Sequence, residues 1–115
     1  MAEFHVTAQE QVTLIEVIGR IDSMNATELG ATLNDQIAQG SKQIVLDLSQ
    51  VSYMSSAGLR ELVAAYRKVQ GETGDLRLAQ PSSRVQDVLE MSGLDTIFQI
   101  FPTPNAAVGS YSVQA

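Results

Sequence analysis

The feature that most constrains the fold is an alternation of short apolar runs with apolar residues at helical spacing. The run Gln43 to Leu48 is nearly all apolar. Before it, Leu29, Leu33 and Ile37 recur every four residues, and after it a helical pattern runs from Leu59 to Val69. Parallel strands need a long crossover between them, usually a helix, so this alternation predicts an α/β protein with a mostly parallel sheet.

The ends of the chain extend this pattern. The runs Phe4 to Ala8 and Val12 to Gly19, separated by a polar turn, predict an antiparallel hairpin at one edge. Later in the chain, Asp75 to Ala79 and Thr96 to Phe101 predict two more strands. We therefore expect a mixed, mostly parallel sheet of about five strands with three to four helices.

The helix ends carry recognisable signals. Asn25 with Glu28, and Ser83 with Gln86, have the spacing of capping boxes. Val85, Val88 and Leu89 predict the buried face of the third helix, and Met91 is expected in the core. Gly40 and Gly93 are each predicted to lie just after the end of a helix. The pair Thr103-Pro104 predicts the start of a short final helix.

Composition excludes several classes of function. The 115 residues suit one domain, residues 1–115, with a frayed tail from about residue 112. Thirteen acidic and seven basic residues give a net charge of −6, which argues against binding nucleic acid or anionic lipid. The chain has no cysteine and one histidine, so we expect neither a metal site nor a bound cofactor. No apolar run approaches the ~20 residues of a membrane helix, and no secretory signal begins the chain, which predicts a cytoplasmic protein without membrane contact.

Sites in open α/β sheets form beyond the carboxyl ends of the strands. Three predicted loops qualify: residues 20–25, 49–58 and 80–83. The longest is rich in hydroxyl groups and ends in Ser55-Ser56-Ala57-Gly58. A serine there has two interpretations, since it can cap the helix or accept a phosphate beside the backbone N–H groups. Spacing by itself favours the cap.

An enzymatic interpretation lacks the partners that catalysis needs. Ser56 as a nucleophile requires a general base, and the one histidine, His5, falls in a predicted edge strand. Asp22 and Asp47 suit solvated or capping roles better than an acid–base pair. Met54 suits the core or an adaptable contact, and Tyr53 suits a buried or a partner-facing ring equally well. The chain is predicted not to be an enzyme.

Three segments resemble one known family. The run from Val45 to Leu59 is similar to the central segment of STAS domains, in particular of anti-sigma factor antagonists. Gly19-Arg20-Ile21-Asp22 resembles the motif that follows the family's second strand, and the run from Val88 to Leu94 resembles its late helix end. The resemblance covers nearly the whole chain and implies a single STAS-like domain.

The resemblance implies regulation by partner switching. The unphosphorylated antagonist binds an anti-sigma factor that is also a serine kinase with a histidine-kinase-like ATPase fold, and a sigma factor is released. Phosphorylation then abolishes binding, and a serine phosphatase resets the cycle. Alignment places Ser56 at the phosphorylated position, with Ser55 as the second choice. The binding surface would comprise Asp22, Ser23, Asn25, Ser52, Tyr53, Met54, Ser55, Ser56, Ala57, Gly58, Leu59, Arg60 and Glu61, on a monomer or weak dimer.

The central motif departs from the family pattern at three positions. Ser55 stands where many members have Asp, Ala57 where a second Ser or Thr is usual, and Arg60 where Gly is frequent. These departures keep a second hypothesis open. In it, the chain is a STAS module without phosphorylation, serving as a subunit of another assembly such as a lipid transport complex, or as a nucleotide sensor.

Overall fold

A computed structural model describes residues 2–111, which form one five-stranded sheet with helices on both faces. The strands are β1 (Ala2–Gln9), β2 (Val12–Ile21), β3 (Gln43–Met54), β4 (Asp75–Ala79) and β5 (Ile100–Phe101). They follow one another across the sheet in sequence order. β1 pairs antiparallel with β2, and the other neighbours are parallel, which confirms the predicted mixed sheet and its edge hairpin.

Four α-helices and one short 3₁₀ helix connect or follow the strands. They are α1 (Ala26–Ala38), α2 (Ser56–Gln70), α3 (Ser83–Met91), the 3₁₀ segment Leu94–Thr96 and α4 (Pro104–Ser110). The predicted frayed tail from residue 112 lies outside the described residues.

The core is divided by the sheet into two clusters. The larger one joins the apolar faces of α1, α2 and α3 to alternate residues of β3, such as Ile44, Leu46 and Leu48. Val45 points to the opposite face, where Ala107 of α4 and Tyr111, the residue after α4, cover it. The Tyr111 hydroxyl lies 2.9 Å from the Ile44 carbonyl oxygen and 2.8 Å from that of Asp75. Burial raises the pKa of Tyr111, so its hydroxyl stays protonated and fastens α4 to the sheet.

Several predicted boundaries were wrong. The segment from Ser49 to Met54, expected in a loop, continues β3. The register between β2 and β3 shifts twice, and β3 has one extra residue at each shift. The first shift lies between the pairs Glu16–Asp47 and Ile18–Gln50, and the second lies between the pairs Gly19–Val51 and Arg20–Tyr53. Such bulges break the regular alternation of buried and exposed side chains, so the segment has no strand pattern in the sequence.

The last strand and one core residue also differ from expectation. β5 is only Ile100–Phe101, because the chain first makes a 3₁₀ turn over Leu94–Thr96. Met91, expected in the core, is 87% exposed, since it is the last residue of α3. Gly40 and Gly93 do follow helix ends with positive φ angles of 99° and 77°, as predicted.

Two capping interactions were also assigned wrongly. α3 begins one residue earlier than the predicted box implies, so the cap is Ser82, whose Oγ accepts from the Val85 N–H, and Ser83 is the first helical residue. Asn25 precedes α1 at the cap position but makes no side-chain cap. Thr103 caps α4 ahead of Pro104, as predicted.

Candidate functional site

The carboxyl ends of β2 and β3 lie side by side and bring two of the predicted loops together. Ile21 pairs with Met54, and the Ser55 N–H donates to the Ile21 carbonyl at 2.8 Å. From this edge the chain enters α1 through residues 22–25 and α2 through Ser55. The turn before α1 and the start of α2 therefore form one continuous surface.

The turn before α1 is held by reciprocal hydrogen bonds between Asp22 and Asn25. The Asp22 N–H donates to Asn25 Oδ1 at 2.8 Å, and the Asn25 N–H donates to Asp22 Oδ1 at 3.0 Å. The buried Asn25 amide also donates to the Arg20 carbonyl at 2.9 Å. The Asn25 side chain thus stabilises the preceding turn, which explains why it does not cap α1.

The same bonds act on the charge of the Asp22 carboxylate. Its pKa lies below the usual value, mainly because the Asn25 N–H donates to the ionised form, with a smaller contribution from the Met24 N–H. Asp22 does not pair with Asp47. The latter is buried in β3, where its Oδ1 accepts from the Ser49 N–H at 3.0 Å.

The two serines at the start of α2 have different environments. Ser55 is the cap residue, and its half-buried Oγ accepts from the Gly58 N–H at 3.2 Å. Ser56 is the first helical residue and is exposed. Its hydroxyl makes no hydrogen bond to any residue in 2–111. The Ser56 hydroxyl is therefore accessible, whereas that of Ser55 is engaged by the helix backbone.

Gly58 allows α2 to approach the sheet edge closely. A Cβ at this position would lie 2.5 Å from Met54 Sδ and 2.7 Å from Ile21 Cγ2, both inside normal contact distance. Met54 was predicted either in the core or as an adaptable contact. It is 2% exposed and therefore lies in the core. The close approach presents Ser56 beside the turn before α1.

One aromatic and one apolar side chain are exposed on the two segments that meet at this edge of the sheet. Tyr53 is 38% exposed, and the Arg20 guanidinium lies 4.8 Å from the centre of its ring. Met24 is 87% exposed at the turn before α1. The loop of Met24 was among the predicted site loops, but this residue was not singled out, because a methionine among polar loop residues carries no periodic signal.

The structure sorts the predicted surface residues into an exposed and a supporting group. Asn25, Met54, Gly58 and Leu59 are buried. Glu61 is half-buried against α1, where a Cβ at Gly30 would overlap its carboxylate. Some side-chain surface is exposed at Asp22, Ser23, Ser52, Tyr53, Ser55, Ser56, Ala57 and Arg60.

The order of elements and the central motif agree with a known family model. The model of the STAS domain matches residues 3–107. The chain belongs to the STAS domain family. Within it, the relatives and solved structures described below are anti-sigma factor antagonists, and antagonists of this kind are regulatory proteins rather than enzymes.

One similar protein is named as the anti-sigma factor antagonist BtrV of Bordetella bronchiseptica. It is 34% identical over 93 residues, which are 81% of this chain and 80% of that protein. A solved anti-sigma factor antagonist from Mycobacterium paratuberculosis is 28% identical, with a TM-score of 0.88 and coverage of 96% of this STAS chain and 93% of that one.

The solved antagonist SpoIIAA, in its unphosphorylated form, shares the same fold. Its TM-score is 0.84 at 22% identity, over 98% of this chain and 99% of that chain.

No helix within residues 2–111 of this STAS domain is long and apolar enough to cross a membrane.

Proposed function

We propose that this STAS domain is an anti-sigma factor antagonist that switches partners through phosphorylation of Ser56. Unphosphorylated, it binds an anti-sigma factor that is also a serine kinase, and the sigma factor is released in the cytoplasm. A serine phosphatase restores the binding form. The observation that carries the proposal is the exposed, unengaged Ser56 hydroxyl at the start of α2.

The helix start favours Ser56 over Ser55 as the modified residue. A kinase must reach the hydroxyl oxygen, and the Ser55 oxygen already accepts the Gly58 N–H. Modifying Ser55 would therefore disturb the cap, whose loss costs about 1 kcal/mol. A phosphate on Ser56 meets the positive end of α2 instead, so the fold can tolerate it.

The effect of the phosphate falls on the complex. The proposed binding surface consists of Ser56 with Asp22, Tyr53, Arg60 and the additional residue Met24, and the buried residues named above hold it in place. Phosphorylation adds about −1.5 to −2 charges at its centre, on a chain whose net charge is already −6. Burying this dianion under a partner costs desolvation energy, which favours dissociation.

The test is phosphorylation with mapping of the modified residue. The protein is incubated with ATP and with each histidine-kinase-like serine kinase of its source genome, and the product is analysed by mass spectrometry. We expect one phosphate on Ser56 in the wild type and none in Ser56→Ala. Ser83→Ala is the matched control, because Ser83 is also exposed at the first position of a helix.

Two other outcomes are informative. A phosphate on Ser55 would keep the switch and move its site. No phosphate from any of the kinases, on protein shown to be folded, would contradict the proposal and favour a STAS module that acts without phosphorylation.

A further inference from the structure

A groove runs from Ser56 along the side of α2 that faces the end of α3 and the 3₁₀ segment. It has a volume of about 450 Å³. Its apolar lining is Leu59, Val63, Ala64 and Leu94. Ala64 is exposed, and Val63 and Leu94 are half-buried, so these side chains are available for contact.

The charge of the groove is opposite to that of the protein. Arg60 and Arg67 both line it, and no acidic residue does, although the chain has only seven basic residues and thirteen acidic ones. Both arginines are exposed. Neither guanidinium group makes a hydrogen bond or ion pair with another residue in the described part of the chain. The groove therefore offers two unpaired guanidinium groups beside an apolar floor.

The spacing of these groups points to one kind of occupant. Arg60 and Arg67 are separated by two helical turns, about 10 Å along α2, and the apolar side chains of Val63 and Ala64 lie between them in sequence. A helix with apolar residues on one face and acidic residues two turns apart matches this pattern. A single fatty-acid carboxylate can pair with only one of the two arginines.

We propose that this groove binds an acidic amphipathic helix of a partner protein. The arginine pair sets the register of the helix, and Val63, Ala64 and Leu94 accept its apolar face. The inference does not depend on phosphorylation of Ser56, since it rests on Arg67 and the floor of the groove. Ser56 and Arg60 line the groove as well, so it extends the surface proposed around Ser56 along α2.

The test uses the full chain labelled with ¹⁵N and a designed peptide. The peptide has about fifteen residues, two glutamates two turns apart, and leucines between them on the same face. We expect amide shifts at Val63, Ala64 and Leu94 that saturate with peptide and weaken in high salt. A peptide with lysine in place of both glutamates should bind at least about tenfold more weakly.

Two neighbouring residues of α2 provide a matched pair of variants. Arg67→Ala should weaken peptide binding about threefold, as for an exposed ion pair, and Arg60→Ala with Arg67→Ala about tenfold. Lys68→Ala should leave binding unchanged, because Lys68 is exposed on the same helix but does not line the groove. Neither Arg67 nor Lys68 belongs to the surface proposed around Ser56, so failure here and failure of the phosphorylation test can be told apart.

Three outcomes would overturn the proposal. Equal affinities for the glutamate peptide and the lysine peptide would show that the arginines do not contribute to binding. Saturable shifts with laurate but none with the peptide would assign the groove to a small amphiphile. Shifts at the same amides that depend on protein concentration alone, with no response to peptide, would assign it to a second copy of the chain.

Discussion

Two helices of this domain begin with the same pair of residues and differ in what surrounds them. α2 starts with Ser55-Ser56 and α3 with Ser82-Ser83, and in both the first serine caps the helix while the second is exposed. The third helical residue is Gly58 in α2, pressed against Met54 and Ile21, and the buried Val85 in α3. The local motif is therefore shared, and the tertiary environment makes only Ser56 part of a surface with the turn before α1.

The strongest test of this difference places a negative charge at both exposed serines. Ser56→Glu should weaken binding to the cognate anti-sigma factor about a hundredfold, roughly 2.7 kcal/mol, because the carboxylate would be buried in the complex. Ser83→Glu should leave the affinity unchanged. Isothermal titration calorimetry measures both. Equal affinities for Ser56→Glu and Ser56→Ala would contradict the switch.

Gly58→Ala tests the close approach of α2 to the sheet edge. Alanine gains up to about 1 kcal/mol in helix propensity, but overlap with Met54 and Ile21 costs up to about 3 kcal/mol, so we expect a net loss of about 2 kcal/mol. Urea denaturation gives the free energy of unfolding. In the double variant Gly58→Ala with Met54→Ala, the loss of stability should be smaller than the sum of the two single losses. Strict additivity of the two losses would show that the two residues do not compete for space.

The two caps should differ in strength. Ser82 Oγ donates to the Val51 carbonyl at 2.6 Å besides accepting the Val85 N–H, so it joins α3 to β3. Among residues 2–111, Ser55 Oγ has the cap interaction as its single hydrogen bond. We expect Ser82→Ala to lower the free energy of unfolding by about 1.5 kcal/mol and Ser55→Ala by about 1 kcal/mol. The reverse order in thermal or urea unfolding would show that the bond to Val51 contributes nothing.

The smallest expected effect is on the stability of the turn before α1. This helix begins at the same edge of the sheet as α2, but the residue at its cap position is Asn25 and not a serine. The pKa of Asp22 is lowered in the folded protein, chiefly by the Asn25 N–H, so its ionised form stabilises the fold above the unfolded pKa of about 3.9. This contribution is lost as the pH falls through the lower, folded value. The wild type should thus exceed Asp22→Asn in stability at pH 6, with a difference that shrinks toward pH 2.

That difference should persist in high salt, since it comes from hydrogen bonds made at contact and not from distant charges. A constant difference between the two proteins across this pH range would exclude the Asp22 carboxylate as its source.

Much of the fold followed from periodicity. The apolar run in β3 and the four-residue spacing in α1 were sufficient for the mixed sheet with helical crossovers, because burial of one face imposes these periods on the sequence. The second half of β3 was missed, since two bulges disrupt the alternation. β5 was predicted too long because Phe98 is buried ahead of it, and its apolar character does not distinguish a strand from the irregular segment that follows the 3₁₀ turn.

The sequence by itself determined the fold family, the absence of cysteine chemistry and the serines at the start of α2. Only the tertiary structure decided which serine hydroxyl is engaged, which residues of the motif are buried, and that Arg60 and Arg67 lie unpaired beside an apolar groove. The physical reason is that a cap or a helical face is specified by neighbours in the chain. Exposure and charge pairing depend instead on segments that meet across the fold, such as Ile21 with Gly58 and Leu94 with α2.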